Sequence, residues 1–234
     1  MKQKTVVTLL EKIGTRYSEY LGINLDSGKD EEVFKWFLAS ILFGAPITET
    51  SVIKTYKLFE KHDVLTPTRI LETGWEGLVE ILDEGSYTRY DFKTADKLLE
   101  VMRNLTEKYD GSLKLLCSKA SNSKDLENRL KDLAKGVGNV TVSIFLRELR
   151  GTWEKAEPNP TSLVVSAAKN LGIINEETAE NALEQLEHFW EKNEVLGESF
   201  INFETALLKL GKDFCRKKKC ACPVKTDCLN PKAF

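Results

Sequence analysis

The 234-residue chain has little histidine and no long apolar run, and each absence excludes a class of function. Its two histidines, His62 and His188, lie in helical patterns away from any nucleophile signature, so nothing supports histidine-based catalysis. No nucleotide-binding P-loop of the Walker A type, dinucleotide motif or zinc-protease motif occurs. No stretch has the roughly 20 apolar residues of a membrane-spanning helix, so we expect no membrane partner.

The N-terminal stretch "MKQKTVVTLLEKIGTRY" has the pattern of an amphipathic helix and lacks the apolar run and cleavage site of a secretion signal. We therefore predict a cytoplasmic protein, associated with the nucleoid if the source is bacterial or archaeal, and favour a monomer. In that reducing compartment, clustered thiols bind metal more often than they form disulfides.

Apolar residues recur with helical spacing along most of the chain, and no alternating strand pattern is longer than a few residues. The sequence therefore predicts an all-α fold of about ten short helices. The first two predicted helices carry apolar stripes within 9–21 and 33–41. Further helices are predicted around 50–61, 67–73, 75–82, 92–108, 124–134, 139–149, 161–171, 175–192 and 199–210. The segment "RGTWEKAEPNP" (150–160) contains two prolines and a glycine, which predicts a break between two domains.

A glycine turn joins two predicted helices within residues 124–149. Gly136 and Gly138 permit a tight turn, and Val137 between them can point inward. The N–H groups of Gly138 and Asn139 would then face outward at a helix N-terminus, an arrangement that suits one phosphate, with Lys135 beside it. The alternative is a helical hairpin that binds no ligand.

Four of the five cysteines lie near the C-terminus in "CRKKKCACPVKTDC", and basic residues surround them. From Lys212 onward, seven basic residues against two acidic ones give +5, so residues 1–211 carry −7. Four thiolates suit an iron–sulfur cluster and also tetrahedral zinc. The candidate ligands are Cys215, Cys220, Cys222 and Cys228, and the candidate phosphate contacts between them are Arg216, Lys217, Lys218 and Lys219.

The motif "GVGNVT", followed by a C-terminal four-cysteine loop, resembles the endonuclease III branch of the helix-hairpin-helix DNA glycosylases. The stretches "FKWFLASILFGAPITETSV" and "EGSYTRYDFKTADKL" are also similar to that family. The resemblance implies a six-helix domain at 30–150, with the hairpin at 124–149. A second domain would comprise 1–29 plus 151–234, with the cysteine loop at 215–228. It also implies a [4Fe–4S] cluster, although the spacing here is shorter than the family's Cys-x6-Cys-x2-Cys-x5-Cys, and zinc stays an alternative.

The resemblance fails at the two positions that carry the family's chemistry. The nucleophilic lysine position is Val140, and the aspartate position is Asn159. Neither side chain can act as a nucleophile or as a general base. Glu157 is a weak substitute. Trp153 in the same segment is expected to pack in the core, and stacking on a flipped base in a pocket is the alternative.

These positions predict a duplex-DNA-binding protein of the base-excision repair superfamily that lacks the usual catalysis and prefers abasic or distorted DNA. One alternative is an active monofunctional glycosylase that uses Glu157. The other is a metal-clipped helical module that binds protein. Whether the chain is an enzyme is left open by its sequence.

Overall fold

The computed structural model describes residues 3–175, 179–217 and 221–229, and helices account for most of them. Within those three ranges there is no β-strand, which confirms the predicted all-α class. None of the helices in that part of the chain is long and apolar enough to cross a membrane.

The helices are short because polar caps and glycines interrupt the chain repeatedly. Several begin after a side-chain oxygen that accepts the N–H three residues further on, as at Thr48, Ser112, Asn122 and Thr161. The α-helices are α1 Gln3–Ile13, α2 Tyr17–Leu21, α3 Asp30–Phe43, α4 Glu49–Lys61, α5 Pro67–Glu84, α6 Asp91–Tyr109, α7 Leu113–Lys119, α8 Ser123–Lys131, α9 Asn139–Arg147, α10 Ser162–Asn170, α11 Ala179–Glu191 and α12 Phe200–Leu210. Short 3₁₀ turns lie at Leu25–Ser27 and Lys225–Asp227, and a π-helix lies at Gly211–Cys215.

The chain forms two compact units. Unit 1 comprises Met1–Tyr17 and Asn159–Phe234, and unit 2 comprises Ser18–Pro158. The 150–160 segment contains no α-helix and includes the second crossing point, between Pro158 and Asn159. The domain bounds implied by the resemblance stay a prediction.

The predicted helix ranges differ from the structure in two places. The N-terminal amphipathic pattern was expected to continue through Tyr17, but α1 ends at Ile13. Gly14 donates its N–H to the Leu10 carbonyl at 2.8 Å, and a Cβ on Gly14 would lie 2.6 Å from that oxygen. α7 is also absent from the predicted helix ranges, although the stretch "LKLLC" was interpreted as an apolar helix face; its buried residues are Leu113 and Leu116.

The core of unit 2 is built on α3 and α9. Trp36 is fully buried and donates its indole N–H to the Phe145 carbonyl at 3.0 Å. The Phe145 ring also packs against Phe37 at 4.9 Å and against Trp153 at 5.7 Å between centroids. Trp153 is therefore a core residue, only 8% exposed, which agrees with the expected core packing and not with the alternative of stacking on a flipped base.

The predicted break at Gly74 is confirmed inside α5. Gly74 has φ 68° and ψ 179°, so the helix kinks there between its two predicted halves. The positive φ is a conformation that glycine adopts without strain. α5 packs along α6, and α6 in turn contacts the turn between α8 and α9 through Glu100 and Lys97.

Unit 1 is organised around α12. Its Phe203 stacks against Phe189 and Trp190 of α11, at 5.7 and 5.5 Å between centroids. α1 and α10 also pack against α12. α12 continues directly into the π-helix, where the N–H of Arg216 donates to the Gly211 carbonyl at 3.0 Å.

Candidate nucleic-acid interface and cysteine loop

The glycine turn of unit 2, residues 136–139, is called the elbow below. Gly136 has φ 96°, a conformation that favours glycine, and Val137 is buried, only 4% exposed, as predicted. Gly138 is the N-cap of α9, and its carbonyl accepts the N–H of Val142 at 3.1 Å. Gly138 and Asn139 are exposed, so the N–H groups of the first turn of α9 are open to solvent.

Two residues of α6 support the elbow from the opposite side. A Glu100 carboxylate oxygen accepts the backbone N–H of Lys135 at 3.4 Å. Lys97, one turn earlier, lies against Gly136: a Cβ added there would be 3.1 Å from its Cε and 3.7 Å from its Nζ. The side chain of Lys135 is exposed. Two lysines therefore lie within reach of one glycine turn.

Lys97 is the residue of this site that sequence reasoning missed. Burial lowers the pKa of its ammonium. In the part of the chain that the structure describes, this ammonium has no hydrogen-bond or ion-pair partner. An ammonium that has no carboxylate beside it keeps its N–H donors available to an external anion. No local pattern around Lys97 could have shown this, because the contact spans some forty residues of sequence.

The candidate catalytic positions do not form an acid–base centre. Val140 is 62% exposed in the first turn of α9 and carries no reactive group. Glu157 is exposed and accepts a hydrogen bond from the Ser123 hydroxyl at 3.4 Å, at the start of α8. A carboxylate at a helix N-terminus is favourable for structure alone. Asn159 is exposed and belongs to unit 1.

The cysteine loop, residues 215–228, begins at the end of the π-helix in unit 1. Its last residues return to α10, where the N–H of Leu229 donates to the Asn170 carbonyl at 2.7 Å. The Asn170 side chain also hydrogen-bonds to the Cys215 thiol. Asn170 therefore holds both ends of the loop, and nothing in the sequence singled it out. Cys220, Lys218 and Lys219 lie outside the described residues.

Three thiols of the loop are close enough to influence one another. Burial raises the pKa of the Cys215 thiol and Cys228 raises it further, while the Asn170 hydrogen bond acts in the opposite direction. Burial also raises the pKa of Cys222, and both Cys215 and Cys228 add to that shift. These three are free thiols.

The thiols as placed do not by themselves form a metal site. Among the described residues, no three histidine, cysteine, aspartate or glutamate side chains are arranged to hold a metal ion. Thiolate sulfurs are suitable metal ligands, but the fourth predicted ligand, Cys220, is not among the residues that the structure describes. Metal binding stays a proposal.

The basic residues at the start of the loop differ in whether their side chains form ion pairs. Lys217 forms an ion pair with Asp213 at 2.7 Å, and Lys212 lies 3.6 Å from the same carboxylate. Lys212 also donates to the Tyr17 hydroxyl at 2.7 Å, within unit 1. Arg216 is exposed, without an ion pair to any described residue. Of the two predicted phosphate contacts that are described, Arg216 is the better placed.

Comparison with known proteins identifies no relative: no family model, no curated protein and no solved structure matches the chain. The resemblance to the endonuclease III branch accordingly stays a prediction. The interpretation of the elbow and the cysteine loop depends on their own geometry and chemistry.

Proposed function

We propose that this protein binds the phosphate backbone of duplex DNA through the elbow. The observation that carries the proposal is an exposed glycine turn at the start of α9, with Lys97 and Lys135 beside it. Outward N–H groups, a helix dipole and two cations in one place favour a phosphate and give no base-specific contact. The binding is therefore sequence-independent and sensitive to salt.

The cysteine loop is proposed as a second, basic contact to DNA, clipped by metal. Cys215, Cys220, Cys222 and Cys228 would hold a [4Fe–4S] cluster, with zinc as the alternative. The mutual influence of three of these thiols and the anchoring of the loop by Asn170 support the proposal. A bound metal would fix a loop with few apolar residues and would present Arg216 to the backbone.

The proposed function does not include glycosylase catalysis by the usual residues. Val140 and the exposed amide of Asn159 supply neither a nucleophile nor a base. Without catalysis, abasic or distorted DNA is the preferred form, because bending and nucleotide extrusion cost less there. The active-glycosylase alternative requires Glu157 to leave Ser123 and act as the carboxylate.

A salt titration with labelled duplexes tests the proposal. We expect an abasic duplex to bind more tightly than an undamaged one, and the logarithm of affinity to fall linearly with the logarithm of salt concentration. A slope of about −3 to −5 corresponds to a few phosphate contacts. Absence of binding at low salt would contradict the proposal and favour the protein-interaction module.

The same preparations can be incubated with alkylated and oxidised oligonucleotides and resolved on denaturing gels after alkali. We expect no strand breaks above background. Cleavage that is lost in Glu157→Gln would identify the chain as an active monofunctional glycosylase instead.

Metal content tests the cysteine loop separately. Protein purified without oxygen is expected to be brown, with broad visible absorption and about four iron atoms per chain. Cys222→Ser should lose the iron, whereas Cys117→Ser, a change to a free thiol in unit 2, should keep it. Colourless protein with stoichiometric zinc would contradict the proposed iron–sulfur cluster. Protein without either metal would contradict metal binding by the cysteine loop.

A further inference from the structure

Three charged residues are buried together at the end of α9. Arg147, Glu148 and Arg150 are 2%, 0% and 7% exposed. A buried charge is costly unless hydrogen bonds and opposite charges compensate it. These side chains are therefore expected to have a specific structural task, and their contacts show where it lies.

Glu148 contacts the first residue of unit 2. One carboxylate oxygen accepts the backbone N–H of Ser18 at 2.9 Å, and the other lies 3.5 Å from the Arg147 guanidinium. Ser18 directly follows the point where the chain enters unit 2. A backbone N–H that donates to a buried carboxylate forms a charge-assisted hydrogen bond, one of the stronger kinds.

Arg150 contacts the last residue of the same unit. Its guanidinium donates to the carbonyl of Pro158, which directly precedes the exit from unit 2. Proline has no N–H, so the carbonyl is the one backbone group through which this position can be held. The bond spans the 151–157 segment, which has no α-helix and carries Glu157.

We propose that Arg147, Glu148 and Arg150 form a clasp that fastens both ends of unit 2 to one buried stretch of chain. Glu148 holds the entry at Ser18, Arg150 holds the exit at Pro158, and Arg147 compensates the Glu148 charge. Because one residue separates Glu148 from Arg150, loosening either contact disturbs the burial of the other. The two ends therefore open together, and the clasp sets the mobility of the 151–157 segment. It is independent of DNA binding.

Amide hydrogen exchange on the full chain, followed by mass spectrometry, tests the clasp. Glu148→Gln and Arg150→Met are each expected to accelerate exchange in peptides covering both 16–22 and 150–158. The expected acceleration is about tenfold or more, because Glu148→Gln removes the charge that strengthens the Ser18 bond and Arg150→Met removes the donor to Pro158. Peptides from α3 should keep the parent rates.

The matched control is Lys155→Met, which removes a different hydrogen bond of the same segment. Lys155 donates to the Cys117 carbonyl at 3.2 Å and is not part of the clasp. We expect this change to leave exchange at 16–22 unchanged.

If either clasp variant fails to fold, Arg150→Lys and Glu148→Asp replace it, since both keep the charge and shift its position. The proposal is overturned if each clasp variant affects only its own end of unit 2, or neither end.

Discussion

Replacing Gly211 with alanine is expected to lower the free energy of unfolding by about 2–3 kcal/mol, in the upper range for overpacking a buried site. Gly211 is buried at the junction of α12 and the π-helix. A Cβ there would lie 2.3 Å from the Leu163 carbonyl oxygen and 2.9 Å from its carbon, both backbone atoms of α10. Backbone atoms cannot rotate away, so α10 and the π-helix must separate.

The cost of this change is steric and not conformational. Gly211 has φ −60° and ψ −46°, which alanine adopts in any α-helix. Because the π-helix ends at Cys215 and α10 ends at Asn170, the separation should also disturb the anchoring of the cysteine loop. We therefore expect the variant to hold the proposed metal less tightly than the parent protein.

Urea unfolding measures the effect as a lower midpoint with an unchanged slope. Gly138→Ala is the control, because its φ is −104° and no atom lies within 4 Å of the added Cβ. Alanine is a poorer N-cap than glycine, so this variant should lose no more than about 1 kcal/mol of stability. A midpoint for Gly211→Ala equal to that of the control would contradict the close approach of α10 to the π-helix.

The helices could be predicted because local rules determine them. Apolar spacing placed most of α3 to α12, and the gap between the predicted helices 67–73 and 75–82 fell at the kink at Gly74. The end of α1 could not be placed in this way, since the apolar spacing continues past Gly14 to Tyr17. Its close contact with the Leu10 carbonyl depends on how the chain turns afterwards.

The sequence predicted the backbone turn of the elbow but not the side chains of other helices that contact it. Gly136 adopts a positive φ and Val137 is buried, both as the sequence indicated. Lys97 and Glu100 come to the elbow only because α6 packs beneath it, which is a tertiary contact. The sequence showed the cysteines but not Asn170, for the same reason.

Removing both lysines at the elbow is expected to weaken duplex binding about a hundredfold at low salt. Lys97→Met and Lys135→Met together remove two cations from the proposed phosphate site. The slope of log affinity against log salt should become shallower by about 0.9 for each lost contact. Lys108→Met is the matched control, because Lys108 is exposed on α6 about 16 Å further along the helix. It should leave the slope unchanged.

The pH dependence of binding separates Lys97 from a lysine that only adds general positive charge. Burial lowers the pKa of Lys97 in the free protein, and a bound phosphate would raise that pKa again. Binding then takes up a proton, so affinity is highest below the lowered pKa and falls as the pH rises through it. Arginine stays protonated throughout, so Lys97→Arg should keep the salt slope and lose this pH dependence. If Lys97→Met matches Lys108→Met at every pH and salt concentration, Lys97 does not contact the backbone, and the proposed elbow site loses its distinguishing residue.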